Sequence, residues 1–129
     1  MARILVMGTI AYDQVIRLKA SLLVGGHQNG IDRGLRLGGG GANAAVALAR
    51  AGNTALLAGA IGRDAPGDAL ERELVALGVD LSLTPRLDGA SSRSIVMIDP
   101  QGERSIVNLQ RLLEPAPPWR LLEAEADAL

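Results

Sequence analysis

Apolar runs and helical periodicity alternate along the first part of this chain. Residues 4–7 and 54–60 are continuous apolar runs, the pattern of β-strands buried on both faces. Between them, an alanine-rich stretch ending before Gly52 predicts a helix, because alanine is the best helix former and permits close packing on a sheet. Residues 67–77 place leucines on one face of a second helix, and an extended segment follows. This order predicts parallel strands joined by right-handed crossovers.

The pattern changes after residue 90. Ser92–Ile98 and Arg104–Leu109 are extended runs separated by Asp99-Pro100-Gln101-Gly102. Proline at the second position and glycine at the fourth are typical of a type I turn. We therefore predict an antiparallel hairpin attached to the α/β layer.

Capping residues and breakers delimit the remaining segments. Asp64 is the predicted N-cap of the second helix, which has proline in its first turn, and Gly78 is its predicted C′ residue. Residues 19–36 contain several glycines and predict an irregular segment. The prolines within 115–118 mark a boundary, and residues 119–129 have a helical composition.

Composition narrows the class of protein. The chain has 129 residues, 48% hydrophobic but only 2% aromatic, which predicts one modest domain with an aliphatic core. A formal net charge of −1 gives no electrostatic reason for binding nucleic acid or an acidic membrane. There is no cysteine, which suits a reducing cytoplasm. No apolar run approaches the roughly 20 residues needed to span a bilayer, and the start shows no signal peptide. We expect a cytoplasmic protein without membrane or nucleic-acid partners.

The stretch from Gly38 to Asn43 is the strongest candidate for chemistry. Its four consecutive glycines permit positive φ values and close approach to a ligand. The helix that follows directs N–H groups and the positive end of its dipole to the same place. Asn43 is the one polar side chain of the first turn and offers both donors and an acceptor. The alternative interpretation is a flexible connection that binds nothing.

Two nucleotide motifs fit this loop poorly. A Walker loop requires Lys followed by Ser or Thr after the last glycine, where this chain has Ala42-Asn43. The spacing Gly39-x-Gly41-x-x-Ala44 matches the looser dinucleotide fingerprint. That fingerprint follows a buried strand directly, however, and the strong apolar strand lies far upstream at residues 4–7. Dinucleotide binding is the weaker alternative.

Asp13 is a further candidate because it follows the first apolar strand. The carboxyl ends of strands in open α/β sheets border the ligand crevice. A carboxylate there is suited to accepting hydrogen bonds from a ligand. The alternative is a solvated aspartate in a turn or cap.

Taken in order, these motifs resemble the N-terminal half of the ribokinase/PfkB carbohydrate kinase family, up to about residue 109. The segments that carry the resemblance are Val6–Asp13, Gly38–Ala45 with the helix to Gly52, Gly62–Gly67 and Leu77–Asp80. The resemblance implies a ribokinase-like α/β fold, a Rossmann-type mostly parallel sheet flanked by helices with an antiparallel β lid, whose C-terminal half is missing. Residues 1–129 are then the N-terminal portion of one carbohydrate kinase domain. Its lid segments would be at about 14–37 and 88–110.

The resemblance also implies substrate-binding residues. In the family, the acid after the first strand and the asparagine and glycines of the loop hydrogen-bond the substrate's hydroxyls. These map to Asp13, Gly39, Gly40 and Asn43. Ribokinase itself has Asn and Lys where this chain has Ala11 and Gly40, so the sugar need not be ribose.

Arg93, on the predicted lid hairpin, is a candidate for binding a phosphate or another acidic group of the substrate. Its alternative role is a solvated charge on a strand, which is the default for an arginine.

The activity implied is that of an ATP-dependent sugar kinase, which transfers the γ-phosphoryl group of Mg-ATP to a sugar hydroxyl as the lid excludes water. The family's Gly-Ala-Gly-Asp motif, which supplies the anion hole and the catalytic aspartate, has no counterpart up to Leu129. We therefore expect the catalytic residues beyond Leu129. The chain alone is predicted to lack kinase activity and to bind ATP and Mg²⁺ poorly.

A different class of function is a non-catalytic interaction protein or sugar-binding remnant. Lid sheets in the family pair between subunits, so the resemblance implies a homodimer through the lid as its assembly. An open sheet edge would support such pairing.

Overall fold

The computed structural model describes residues 1–110 and Leu112. The described elements, in chain order, are β1 (Arg3–Met7), β2 (Ala11–Leu18), β3 (Gly30–Gly38), α1 (Gly40–Arg50), β4 (Thr54–Ala58), β5 (Ile61–Gly62), α2 (Ala65–Ala76), β6 (Val79–Asp80), β7 (Arg86–Leu87), β8 (Ser92–Ile98) and β9 (Arg104–Gln110). They form a three-stranded sheet of order β1-β4-β6, a four-stranded sheet of order β3-β2-β8-β9 and the pair β5-β7. The predictions for residues 115–129 lie outside the described residues.

The three-stranded sheet confirms the predicted parallel pairing. β4 pairs in parallel with β1 on one side and β6 on the other. The central strand, β4, is apolar because both of its faces are covered, and its Leu57 is fully buried. The core cluster consists of aliphatic residues from this sheet, both helices, β5 and the turn after β1, namely Ile10, Ala42, Ala45, Val46, Ala55, Leu57, Ile61, Leu70, Leu74 and Val79.

Both helices end as the sequence predicts. Gly52 follows α1 with φ +89°, and Gly78 follows α2 with φ +85°, a conformation that glycine adopts at little cost. Asp64 is the N-cap of α2, and its carboxylate accepts a hydrogen bond from the Gly67 N–H at 2.8 Å. At 11 and 12 residues, neither helix has the length and apolar character to cross a membrane, and the described residues contain no other helix.

The predicted hairpin is confirmed as β8 and β9, which pair antiparallel. The Gly102 N–H donates to the Asp99 carbonyl at 3.0 Å, which closes the turn. The Asp99 carboxylate accepts from the N–H groups of Gln101 and Glu103 at 2.9 Å each. The sheet as a whole is mixed, because β2 pairs antiparallel with β3 but parallel with β8.

The interpretation of residues 19–36 as irregular is wrong for their second half. Residues Gly30–Gly38 form β3, a nine-residue strand antiparallel to β2. Most of its side chains are exposed, since it is an edge strand among the described residues. Gly34 has φ +81°, and a register shift interrupts the pairing. An edge strand with these features shows little of the alternation by which a half-buried strand is predicted.

Candidate functional site

The glycine loop packs against the turn between β1 and β2. A Cβ on Gly41 would lie 2.5 Å from the Gly8 carbonyl carbon, and a Cβ on Gly8 would lie 2.8 Å from the Gly41 Cα. Neither position therefore accommodates a side chain without a backbone shift. The Thr9 carbonyl, in the same turn, accepts hydrogen bonds from the N–H groups of Gly41 at 3.1 Å and Ala42 at 3.2 Å.

For Gly41 and Ala42, these two hydrogen bonds correct the prediction that the loop offers free N–H groups to a ligand. The Gly41 and Ala42 N–H groups at the start of α1 are satisfied by the protein itself. The contact is between segments more than 30 residues apart, so no local pattern reveals it.

The consecutive glycines serve different purposes. Gly39 is the N-cap of α1 with φ +93°, and a Cβ there would lie 2.3 Å from the Thr9 carbonyl oxygen. Gly40 is exposed, and a Cβ there would meet nothing within 4 Å. Gly39 and Gly41 are thus required for packing, whereas Gly40 leaves open space beside the loop.

Asp13 lies within β2, opposite Arg36 of β3, and not beyond the strand in a turn. Its carboxylate sits beside Gly38, where a Cβ would lie 2.4 Å from Asp13 Oδ2. Glycine at position 38 therefore makes room for the carboxylate. This contact places the Asp13 carboxylate beside the start of the glycine loop, because Gly39 and Gly40 follow Gly38 in the chain.

Asn43 and Arg93 occupy different surroundings. Asn43 is exposed in the first turn of α1, as the sequence predicts. Arg93 is exposed on β8 and pairs with Tyr12, the neighbour of Asp13 along β2. Because successive side chains of a strand point to opposite faces, Arg93 and Asp13 are on opposite faces of the four-stranded sheet. The structure does not bring Arg93 together with Asp13.

Ser94 and Asn108 share the face of Asp13 and were missed by the sequence reasoning. Asp13 pairs with Ser94, and Ser94 pairs with Asn108. Ser94 is buried, and its hydroxyl donates to Asn108 Oδ1 at 2.7 Å. A signal was present in the hairpin, where serines at 92 and 94 alternate with larger residues and place polar groups on one face.

A second polar cluster joins α2 to the start of β8. The Asp64 carboxylate accepts from the Ser91 N–H at 2.8 Å and from the Ser91 hydroxyl at 2.7 Å. Burial raises the pKa of the Asp64 carboxyl, but the hydrogen bonds from Ser91 and Gly67 and the charge of Arg86 outweigh it, so the pKa lies below its ordinary value. The Gly62 N–H donates to the Ser91 hydroxyl oxygen at 3.0 Å. The cluster has its hydrogen-bonding groups paired internally and acts as a structural joint.

Arg86 completes this joint from β7. Its guanidinium donates to the Gly62 carbonyl and to Asp68 at 2.7 Å, and it also contacts Glu71. The hydrogen bond to Asp68 is the main reason that the pKa of Arg86 is raised. An open depression of about 480 Å³ adjoins the cluster and is lined by Arg63, Asp64, Ala65, Asp68 and Arg86.

The described residues contain no group of three or more His, Cys, Asp or Glu side chains suited to a metal ion. The N–H groups of Gly41 and Ala42, which would be the natural phosphate donors at the start of α1, already bond to the Thr9 carbonyl.

Comparison with known proteins identifies the family. The model of the pfkB family carbohydrate kinases matches residues 1–126. The chain is similar to ribokinase from Cryptococcus neoformans var. grubii serotype A, solved with ADP, at 32% identity and a TM-score of 0.73, over 84% of this chain and 35% of that one. Ribokinase from Giardia lamblia is 25% identical with a TM-score of 0.85, over 98% of this chain and 39% of that one. Fructokinase from Xylella fastidiosa is 27% identical with a TM-score of 0.65, over 85% of this chain and 34% of that one.

The chain belongs to the pfkB family of carbohydrate kinases and has the ribokinase-like α/β fold. This confirms the family and the fold class expected from the glycine loop and its neighbouring motifs. The chain spans between 34% and 39% of the length of these three solved relatives.

Proposed function

We propose that this chain is the N-terminal, substrate-binding portion of an ATP-dependent sugar kinase, with Asp13, Gly39, Gly40 and Asn43 holding the sugar. The observation that supports it most directly is the Asp13 carboxylate fitted against Gly38, at the entrance to the glycine loop. A carboxylate accepts hydrogen bonds from sugar hydroxyls, and an asparagine amide both accepts and donates them. The four-stranded sheet that carries Asp13 is the proposed lid.

In this proposal the chain's own residues bind and orient the sugar. The open space at Gly40 admits the sugar to the loop backbone, and the rigid Gly39 and Gly41 contacts keep that backbone in place. The groups that bind ATP and Mg²⁺ and the catalytic base belong to sequence outside this chain. The chain alone then binds sugar without phosphorylating it.

Isothermal titration calorimetry with D-ribose and D-fructose tests the proposal. We expect one of these sugars to bind the wild-type chain and Asp13→Asn to weaken that binding about tenfold, because one charge-assisted acceptor is lost. Asp13→Asn keeps the size of the side chain beside Gly38. Asp88→Asn is the matched control, since the Asp88 side chain is 90% exposed on a surface loop. Absence of sugar binding, or unchanged binding by Asp13→Asn, contradicts the proposal.

The second candidate is a non-catalytic module that pairs through the four-stranded sheet as a homodimer. It is favoured by the apolar side chains exposed on β9, where Ile106, Val107 and Leu109 are 56%, 47% and 45% exposed. Sedimentation velocity distinguishes the two. A stable dimer that Val107→Lys dissociates, with no sugar binding, favours the module.

A further inference from the structure

A row of polar side chains crosses the four-stranded sheet at the level of Asp13. Asp13 on β2 pairs with Arg36 on β3 and with Ser94 on β8, and Ser94 pairs with Asn108 on β9. Directly paired residues of neighbouring strands present their side chains on the same face. The next row on that face is aliphatic and consists of Val15, Val96 and Ile106. This aliphatic row separates Asp13, Ser94 and Asn108 from the arginines at the far end of the same face, Arg17 and Arg104.

Ser94 fixes the orientation of the Asn108 amide. Its buried hydroxyl donates to Asn108 Oδ1 at 2.7 Å, so the carbonyl oxygen of the amide is occupied. Asn108 is itself exposed, and its amide nitrogen makes no hydrogen bond to the residues that the structure describes. An amide nitrogen carries two N–H donors. The pair thus presents donors on the face where Asp13 presents an acceptor.

We propose that Asn108 is a specificity-determining residue and that Ser94 is its positioning residue, an inference that rests on the proposed sugar-binding function. Asn108 donates a hydrogen bond to an oxygen on the edge of the sugar that faces the four-stranded sheet. The ligand class is a sugar with an intact hydroxyl or carbonyl oxygen at that edge. A sugar deoxygenated there leaves the Asn108 donors unpaired and is rejected, which is how polar sites discriminate against analogues lacking one group.

Side-chain amide signals in ¹⁵N-correlated NMR spectra separate this proposal from the proposed function. The chain contains four asparagines, Asn29, Asn43, Asn53 and Asn108, each with a resolvable NH₂ pair. On titration with D-ribose or D-fructose, we expect the signals of Asn43 and Asn108 to shift together. A shift of Asn43 without Asn108 overturns the specificity role and leaves the proposed function standing. No shift of either overturns both.

Substitution provides the quantitative test. We expect Asn108→Leu to weaken binding of the sugar about tenfold, and Asn29→Leu, the same change in an exposed loop, to leave it unaltered. Among singly deoxygenated analogues, we expect one to bind the wild-type chain about tenfold more weakly than the parent sugar does. In Asn108→Leu, that analogue and the parent sugar are expected to bind equally well. If every analogue keeps its wild-type deficit in Asn108→Leu, the proposal is wrong.

Ser94→Ala tests the positioning role. We expect it to weaken sugar binding by a smaller factor than Asn108→Leu and to cause no further loss when combined with Asn108→Leu. Losses that multiply in the double variant overturn the role of Ser94.

Discussion

At the scale of single residues, the glycine loop shows how neighbouring glycines differ in purpose. Gly41 is enclosed by the backbone of Gly8, whereas Gly40 faces open space. Both lie in the first turn of α1, where alanine has the better intrinsic helix propensity. The two positions therefore form a matched pair for separating packing from propensity.

We expect Gly41→Ala to lower the free energy of unfolding by about 2 kcal/mol, because the added methyl group forces the turn and the helix apart. Gly40→Ala is expected to be neutral or to stabilise by up to about 1 kcal/mol. Urea unfolding followed by circular dichroism measures both. Equal effects of the two substitutions would mean that the contact with Gly8 does not constrain the loop.

The sequence reveals the candidate loop but not how its donors are used. Four glycines before an alanine-rich helix identify the segment, and Asn43 lies where the pattern places it. The Thr9 carbonyl that takes the Gly41 and Ala42 N–H groups comes from a distant turn. The register of the strands places Ser94 and Asn108 in one row with Asp13, and this register depends on pairing across the whole sheet.

At the scale of elements, the Asp64 cluster ties α2 to the first residue before β8. Asp64 is predictable as an N-cap from its position before a helix with proline in its first turn. Its two hydrogen bonds to Ser91 connect residues 27 positions apart, which local patterns do not show. The sequence pattern did not predict β3 for a related reason. Its extended conformation is stabilised by pairing with β2, which the local pattern of residues does not show.

We expect Asp64→Asn to lower the free energy of unfolding by about 2 kcal/mol at pH 7, through loss of a charged cap and of hydrogen bonds from Ser91. The folded-state pKa of Asp64 lies below its ordinary value. The ionised carboxylate therefore stabilises the fold above the unfolded pKa of about 4, and this contribution is lost as the pH falls through the folded pKa. Urea unfolding from pH 7 to pH 3 measures this effect. The difference in the free energy of unfolding between Asp64→Asn and wild type should become smaller below about pH 4.

Asp88→Asn serves as the control for this pH series. Asp88 pairs with Arg63, but both side chains are largely exposed, so its removal should change stability little. If the difference in the free energy of unfolding between Asp64→Asn and wild type stays constant down to pH 3, the role assigned to the charge of Asp64 is wrong.

The β8–β9 turn offers a prediction of backbone conformation alone. Gly102 has φ +84°, and a Cβ there would meet nothing within 4 Å. Gly102→Ala is expected to destabilise by about 1 kcal/mol, because only the left-handed conformation opposes it. Gly102→Asn should cost less, since asparagine adopts that conformation more readily. Thermal unfolding of the three proteins gives the order, and an equal loss for both variants would point to another cause.

At the scale of the whole molecule, one side of the parallel sheet carries no further strand among the described residues. Among the described residues β1 pairs only with β4, although its sequence is the continuous apolar run of a strand covered on both faces. An apolar depression of about 370 Å³ lies along it, lined by Ile4, Leu5, Val6, Met7 and Leu48. The solved relatives are more than twice as long as this chain.

The last prediction concerns the side of β1 that no described strand covers. An unpaired apolar edge strand is a template for pairing with another copy, and a lysine on such an edge opposes pairing through charge and hydration. Met7 is 48% exposed at the end of β1, so Met7→Lys is expected to reduce concentration-dependent association in light scattering. Leu23→Lys places the same charge at a 59% exposed loop residue and should have little effect, because that loop offers no strand edge. If the two lysines reduce association equally, net charge and not the β1 edge governs it. If the wild-type chain stays monomeric at all concentrations, the edge is not a pairing surface.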